Sequence, residues 1–249
     1  MFRVSAIVIV VGFLLTSCRE AGLDPSSEPT ASVMINRYVD LFNDDTVVQH
    51  FNQVLLTTND GGLRFIKCDR VTAGGVGLVP EVVLEREGDE VSPIYRSYES
   101  VIGSESEPTC PVTIDDFLGR KITTSCPFAK RITIPTLQRY DTISITRGWS
   151  GTNSTSVPGD SVVVELSFDA IYTEEVVGSG ATTDGSTILL KVPDTGELIL
   201  QPDVLRALKP NLVYQLSFSK NEKYAAVVQG VQVNSSSYFE LRTLVLVVP

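Results

Sequence analysis

Between residues 131 and 249 the apolar and polar positions alternate with a period of two. In SVVVELSFDAIY, Val162, Val164, Leu166, Phe168, Ala170 and Tyr172 fall on one side. Glu165, Ser167 and Asp169 fall on the other, with Val163 and Ile171. Successive side chains of a strand point to opposite faces, so the stretch predicts a strand with one buried side, running through Tyr172. TISIT at 142–146 alternates in the same way, and STILLKV, ELIL, NLVYQLSF, AAVVQGVQV and FELRTLVLVV follow, separated by Gly, Asp, Asn and Pro. QPDVLRALKP breaks the pattern. Pro202 suits a first helical turn and Pro210 blocks continuation, so a single short helix is expected there. About seven strands with turn signals between them suggest an immunoglobulin-like antiparallel β-sandwich. The helices that parallel βαβ units need are missing from the pattern.

The front half is less regular. In residues 33–58, Thr46 with Gln49 fits a capping box, and Val48, Phe51 and Leu55 share one helical face. The same region reads equally as two strands, VLLTT and LRFI, about the turn NDGG. From Leu63 to Tyr98 a β-rich look persists, with glycines at 74, 75 and 77 marking a bend or bulge. Residues 99–130 are more polar and are expected to form a long connection. The expectation is therefore a mainly β protein, with a second β-rich domain over 33–130 and the sandwich over 131–249.

The first residues belong to neither pattern. Arg3 gives a positive start, Ala6 to Leu15 is apolar apart from Gly12, and Thr16 and Ser17 are small. This is the layout of a secretory signal peptide over residues 1–17. A membrane-spanning helix needs about 20 apolar residues, twice what is present. Leu15-Thr16-Ser17-Cys18 resembles the lipobox of bacterial lipoproteins. That resemblance implies cleavage before Cys18, diacylation of its sulfur and membrane anchoring by acyl chains. One chain binds a bilayer only marginally and two hold it stably. Arg19, where an Asp would imply inner-membrane retention, leans toward the outer membrane. Residues 18–32, rich in Pro, Ser and Glu, read as a lipidated flexible tether.

The second half also resembles the Ig-like domains of bacterial surface and periplasmic lipoproteins. The order DTISITRGWS, GDSVVVELSF, DTGELILQPDVLRAL, LVYQLSFSK carries this over roughly 131–249. It implies a fold and no activity.

Composition narrows the function classes. Apolar residues make up 43% of the chain, enough for a real core. Acids outnumber bases 30 to 20, and loss of Arg3 with the signal makes the formal charge of −10 one unit more negative. Clustered Lys and Arg are absent, which argues against a nucleic-acid partner. An acidic body also gains nothing from anionic lipid heads, leaving attachment to the acyl chains. The remaining cysteines are Cys68, Cys110 and Cys126. In an exported protein one disulfide is expected, with Cys110 and Cys126 the favoured pair. Cys68, in RFIKCDR, reads as a half-buried strand residue. No CxxC spacing occurs, so no metal site is expected.

Little else carries chemistry. RGWSGTNS approaches a Gly-x-Ser-x-Gly elbow, but Gly151 comes one place early and Thr152 stands where the second Gly belongs. The chain's one histidine, His50 in VVQHFNQ, has no supporting motif. Trp149 reads as a core plug. The doublets Asp44-Asp45, Asp115-Asp116 and Glu174-Glu175 are poor evidence for paired catalytic carboxylates, because neighbours on a strand face opposite ways. Asp60-Gly61-Gly62 and Asp184-Gly185 read as turns rather than calcium loops. Asn153-Ser154-Thr155 and Asn234-Ser235-Ser236 fit a glycosylation pattern and read as ordinary polar residues of loops or strands. The reading is a lipid-anchored envelope protein acting as a non-enzymatic binding or structural module, without cofactor, toward a protein or glycan partner. The alternatives are an envelope hydrolase with an acidic site and an accessory subunit of an envelope assembly complex.

Overall fold

A computed structural model describes residues 29–41, 47–59, 63–65, 68–83, 92–102, 109–116, 119–178 and 186–249. The signal segment, Cys18, most of the tether, Asp44-Asp45, Thr46, Asp60-Gly61-Gly62 and Asp184-Gly185 lie outside these residues. The described elements are β1 (Thr30–Asp40), β2 (Val47–Asn59), β3 (Leu63–Phe65), β4 (Cys68–Ala73), β5 (Val76–Gly77), β6 (Val79–Val83), β7 (Ser92–Ile102), β8 (Thr109–Asp116), β9 (Lys121–Pro127), β10 (Asp141–Ser144), β11 (Trp149–Thr152), β12 (Ser161–Phe168), α1 (Ala170–Val177), β13 (Ile188–Pro193), β14 (Glu197–Leu200), α2 (Pro202–Leu205), β15 (Leu212–Val228) and β16 (Val231–Val248). The protein is mainly β and built of packed sheets. Among the described residues no helix is long and apolar enough to cross a membrane.

One large sheet organises the molecule. Its strand order is β13-β12-β15-β16-β1-β2-β7-β6, with β10 also on β16 and β3 on β2. It runs across residue 130, because β1 pairs with β16 from Thr30↔Gln232 to Asp40↔Arg242. That pairing is parallel, as is β10 with β16, a departure from the all-antiparallel expectation.

Two smaller layers cover the inner face of this sheet. The four-stranded sheet β5-β4-β8-β9 packs over Ala31, Val33, Ile35, Val54, Val231 and Val233. The segment 129–143, the β11–β14 ribbon and α2 close a second core around Leu166, Tyr214, Leu216, Phe218, Phe239 and Val245. β1 and β16 serve both cores. Between the cores the inward positions of β16 turn polar at Ser235 and Ser237, both buried. Arg37 of β1 bridges this gap. Its guanidinium lies 3.9 Å over the Phe128 ring and 5.8 Å from Phe239, and Nη2 donates to the Ala129 carbonyl at 2.7 Å.

Several expectations change. The VVQHFNQVLL stretch is strand β2, not a helix, because its long antiparallel pairings with β1 and β7 override a weak local preference. β2 and β3 do form the expected strand pair about 60–62. The strand predicted to Tyr172 stops at Phe168, since the Asp169 carboxylate accepts from the Ile171 and Tyr172 N–H groups and starts α1. The short helix at Pro202 is present as expected. The three strands expected after Asn211 are two long ones. They turn at Gln229 (φ 51°) and Gly230 (φ 77°), a two-residue hairpin whose positive angles match the strand twist.

Among its described residues, the expected long connection over 99–130 is mostly strand, and Cys68, Cys110 and Cys126 are buried there with no disulfide drawn between them. Cys110 and Cys126 nevertheless stand directly opposite each other on β8 and β9. The Pro111 carbonyl accepts from Gly74 on the β4 side, so the backbone edge of Cys110 faces β9. The pair is therefore a hydrogen-bonded one, with Cα atoms about 5.5 Å apart.

Candidate functional site

The outer face of the large sheet carries a polar and aromatic surface. The strand registers set Glu165, Ser217, Arg242 and Asp40 in one row across β12, β15, β16 and β1. The next row is Val163, Ser219, Glu240 and Tyr38, and the one after it brings Asn221, Tyr238 and Asn36 together. Arg242 grips Asp40 through both carboxylate oxygens at 2.7 and 2.9 Å and lies 4.9 Å over the Tyr38 ring. Tyr38 and Tyr238 are 6.0 Å apart at 58°. Asn36 Nδ2 donates to the Tyr38 hydroxyl at 3.3 Å.

Two hollows open on this face. One, of about 570 Å³, lies over small polar residues, Ser32, Asn234 and Ser236, and is walled by Met34, Gln53 and Lys223. The other, of about 430 Å³, lies between Val163, Glu165, Leu189, Ser219 and Tyr238 and reaches Lys220. Burial pushes the Glu240 carboxyl above the ordinary range, and the Glu165 and Asp40 charges add to this. A hydrogen bond from Ser217 and the Arg242 charge only partly offset it. Burial likewise raises the Tyr238 hydroxyl against a hydrogen bond with Ser219.

A second cluster closes the edge of the core beneath the smaller hollow. Lys220 continues the inward row Tyr214, Leu216, Phe218 of β15 and is only 5% exposed. Its Nζ lies 2.5 Å from Asp194 Oδ2 and 3.4 Å from Asp160 Oδ2. Asp194 is 2% exposed and accepts from Asn153 Nδ2 at 3.1 Å (Oδ1) and 3.3 Å (Oδ2), and from the Val157 N–H at 3.2 Å. Burial alone would raise its carboxyl, but the hydrogen bonds from Lys220, Asn153 and Val157, with the Lys220 charge, hold it below the usual carboxylate range. Asn153 is itself fixed, its Oδ1 accepting from the Thr133 and Thr155 N–H groups at 3.1 and 3.2 Å and from the Thr155 hydroxyl at 2.9 Å.

The structure disperses the other sequence candidates. Trp149 packs on the core 5.5 Å from Phe218. A Cβ on Gly151 would come within 2.5 Å of the Trp149 ring, and one on Gly148 (φ 84°) within 2.6 Å of the Leu200 carbonyl. Both glycines of the elbow-like stretch are thus explained by packing. The backbone of His50 lies on β2 opposite Arg37. Asp115-Asp116 end β8, and Glu174-Glu175 are exposed on α1. Among the described residues no group of three His, Cys, Asp or Glu is placed to hold a metal. Sequence reasoning missed the Lys220 cluster, although a lysine in phase with Tyr214, Leu216 and Phe218 was the available signal.

No protein-family model matches this chain, and no curated protein matches it. A solved structure of the yeast delta-COP-I mu-homology domain complexed with a Dsl1 WxWxV peptide aligns at 12% identity over 90% of this chain and 99% of that one. Its TM-score is 0.25, too low to bear on fold or ligand.

Proposed function

We propose that the chain is a lipid-anchored protein of the bacterial cell envelope, favouring the outer membrane, whose β body is a non-enzymatic binding module. The observation that carries the binding role is the open outer face of the large sheet. There two tyrosine rings and a row of small hydrogen-bonding side chains flank hollows of about 570 and 430 Å³. Aromatic rings beside hydroxyl, amide and charged side chains suit the C–H faces and hydroxyls of a sugar, so a glycan of the envelope is the preferred partner and a protein the other outcome. The anchor rests on Leu15-Thr16-Ser17-Cys18. From Cys18 to Thr30 the chain reaches at most about 40 Å, enough to hold the body near a bilayer.

Titration with oligosaccharide fragments of the native envelope tests the partner. Binding lost in Tyr238→Ala, with the far-ultraviolet spectrum unchanged, supports the glycan. Equal affinity in the two proteins refutes it. Membrane fractionation of Cys18→Ser tests the anchor separately, since a soluble variant supports acylation and a membrane-bound one overturns it.

Export also supports oxidation of Cys110 and Cys126 to a disulfide, since the two stand opposite each other on β8 and β9. Alkylation of the unfolded, unreduced protein then spares both thiols. A second functional reading, an envelope hydrolase, draws on one observation, the raised Glu240 carboxyl facing Glu165 and Asp40. Turnover of an envelope glycan, lost in Glu240→Gln, would favour it.

A further inference from the structure

We propose that Lys220 and Asp194 condense into an intramolecular amide, Nζ to Cγ, with Asp160 carrying the proton and one water leaving. This rests on the cluster at the core edge and is independent of the binding role. Strand register assembles the parts. On the inner face Val192 pairs with Val162. One step further along, Asp194 donates its backbone N–H to the Asp160 carbonyl at 3.0 Å, so both carboxylates lie at the adjoining ends of β12 and β13. β15 runs past these ends and extends Lys220 toward them.

The amine and the carboxyl are already in contact, at 2.5 Å, and both are almost fully buried. Holding two reacting groups together lowers the barrier between them, by an amount equivalent to effective concentrations of about 10⁵ M or more once the reacting atoms are well oriented. The form that reacts, a neutral amine with a neutral acid, is reached by proton transfer against the hydrogen bonds that hold the Asp194 carboxyl low.

The surrounding groups match the steps. Proton transfer within the ion pair gives a neutral amine and a protonated carboxyl. The Nζ lone pair then forms a bond to Cγ, and the C=O electrons move to Oδ1. Asn153 Nδ2, held rigid by Thr133 and Thr155, donates to Oδ1 at 3.1 Å and stabilises the charge that develops there. Asp160, 3.4 Å from Nζ, takes the proton that the attacking nitrogen must lose and passes it to the departing Oδ2. Lys130 Nζ lies 3.3 Å from the same Asp160 oxygen. The Cγ–Oδ2 bond breaks and water leaves through the hollow that Asp160, Lys130 and Lys220 line. An acid and an amine become an amide and water, with no change of oxidation state.

The test is peptide mapping of the full chain purified in its native fold. Trypsin should fail to cut after Lys220. Peptide 192–206 should appear joined to peptide 207–223, lighter than their sum by one water. Lys220→Arg keeps a cation opposite Asp194 but cannot form this amide, and it should release peptide 192–206 alone. Asp160→Asn should leave a large unlinked fraction in otherwise folded protein, which keeps the proposal testable if Lys220→Arg fails to fold. Full cleavage after Lys220 in folded wild-type protein, with both peptides recovered at their unlinked masses, would show an ion pair only and overturn the proposal.

Discussion

Gly151→Ala tests whether the elbow-like stretch is chemistry or packing. The added methyl would lie 2.5 and 2.8 Å from two carbons of the Trp149 ring and 3.1 Å from Ile134 Cγ2. Contacts this short require the indole to move. Overpacking of this kind costs about 1–3 kcal/mol, and loosening the Trp149–Phe218 contact adds about 0.5–1.5 kcal/mol. Reduced backbone entropy in the unfolded chain returns about 0.4–1 kcal/mol. The net expectation is a loss of about 0.5–4 kcal/mol, centred near 2. Trp149 is the chain's single tryptophan, so its fluorescence reports on this site alone. Urea titration followed by that emission should show an earlier midpoint and a changed native spectrum. Ser150→Ala, at an exposed position, should fall within about 0.5 kcal/mol of wild type. A Gly151→Ala protein with wild-type midpoint and emission would refute the packing account.

Other outcomes follow from other sites. The Glu240 carboxyl is raised in the folded state, so its contribution to stability is fully favourable only at low pH. That contribution declines as pH rises from the unfolded value of about 4.3 through the folded one. Glu240→Gln should flatten this part of the pH–stability curve, and an unchanged slope would contradict the assignment. Gly230→Ala, at φ 77° in the hairpin turn, should cost about 1 kcal/mol, read from the denaturation midpoint; no loss would argue against the two-residue turn. Arg37→Ala removes the hydrogen bond to Ala129 and the stack on Phe128, and should cost about 2–4 kcal/mol by the same measure. A cost below about 0.5 kcal/mol would mean that the gap between the cores closes without it.

Much of the fold was legible where one face of a strand meets a core. β12 was readable because Val162, Val164 and Leu166 alternate cleanly with polar neighbours. The same regularity misled at its end, where Ala170 and Tyr172 kept the period of two although Asp169 had begun a helix. The 33–58 region was ambiguous because helix and strand periods both fit short apolar runs. Its fate depended on the pairing of β2 with β1 on one side and with the distant β7 on the other, which no local window contains. Candidate sites were harder. Trp149 was legible as a core residue from its place in a sandwich. The outer face was not, since Glu165, Ser217, Glu240 and Tyr38 come from four strands and meet only through register. Asp194 lies 26 residues from Lys220 in the chain, and only the fold brings the two together.

The position of β1 has a mechanical consequence. It lies between β16 and β2, with eleven paired positions on each side, and the chain enters it at Thr30. A pull on the front of the chain acts along the strand axis and loads both ladders of hydrogen bonds in shear at once, rather than peeling them one by one. Tugged from that end, the body should yield late and abruptly, at a force well above that needed to unzip the β15–β16 hairpin from its tip.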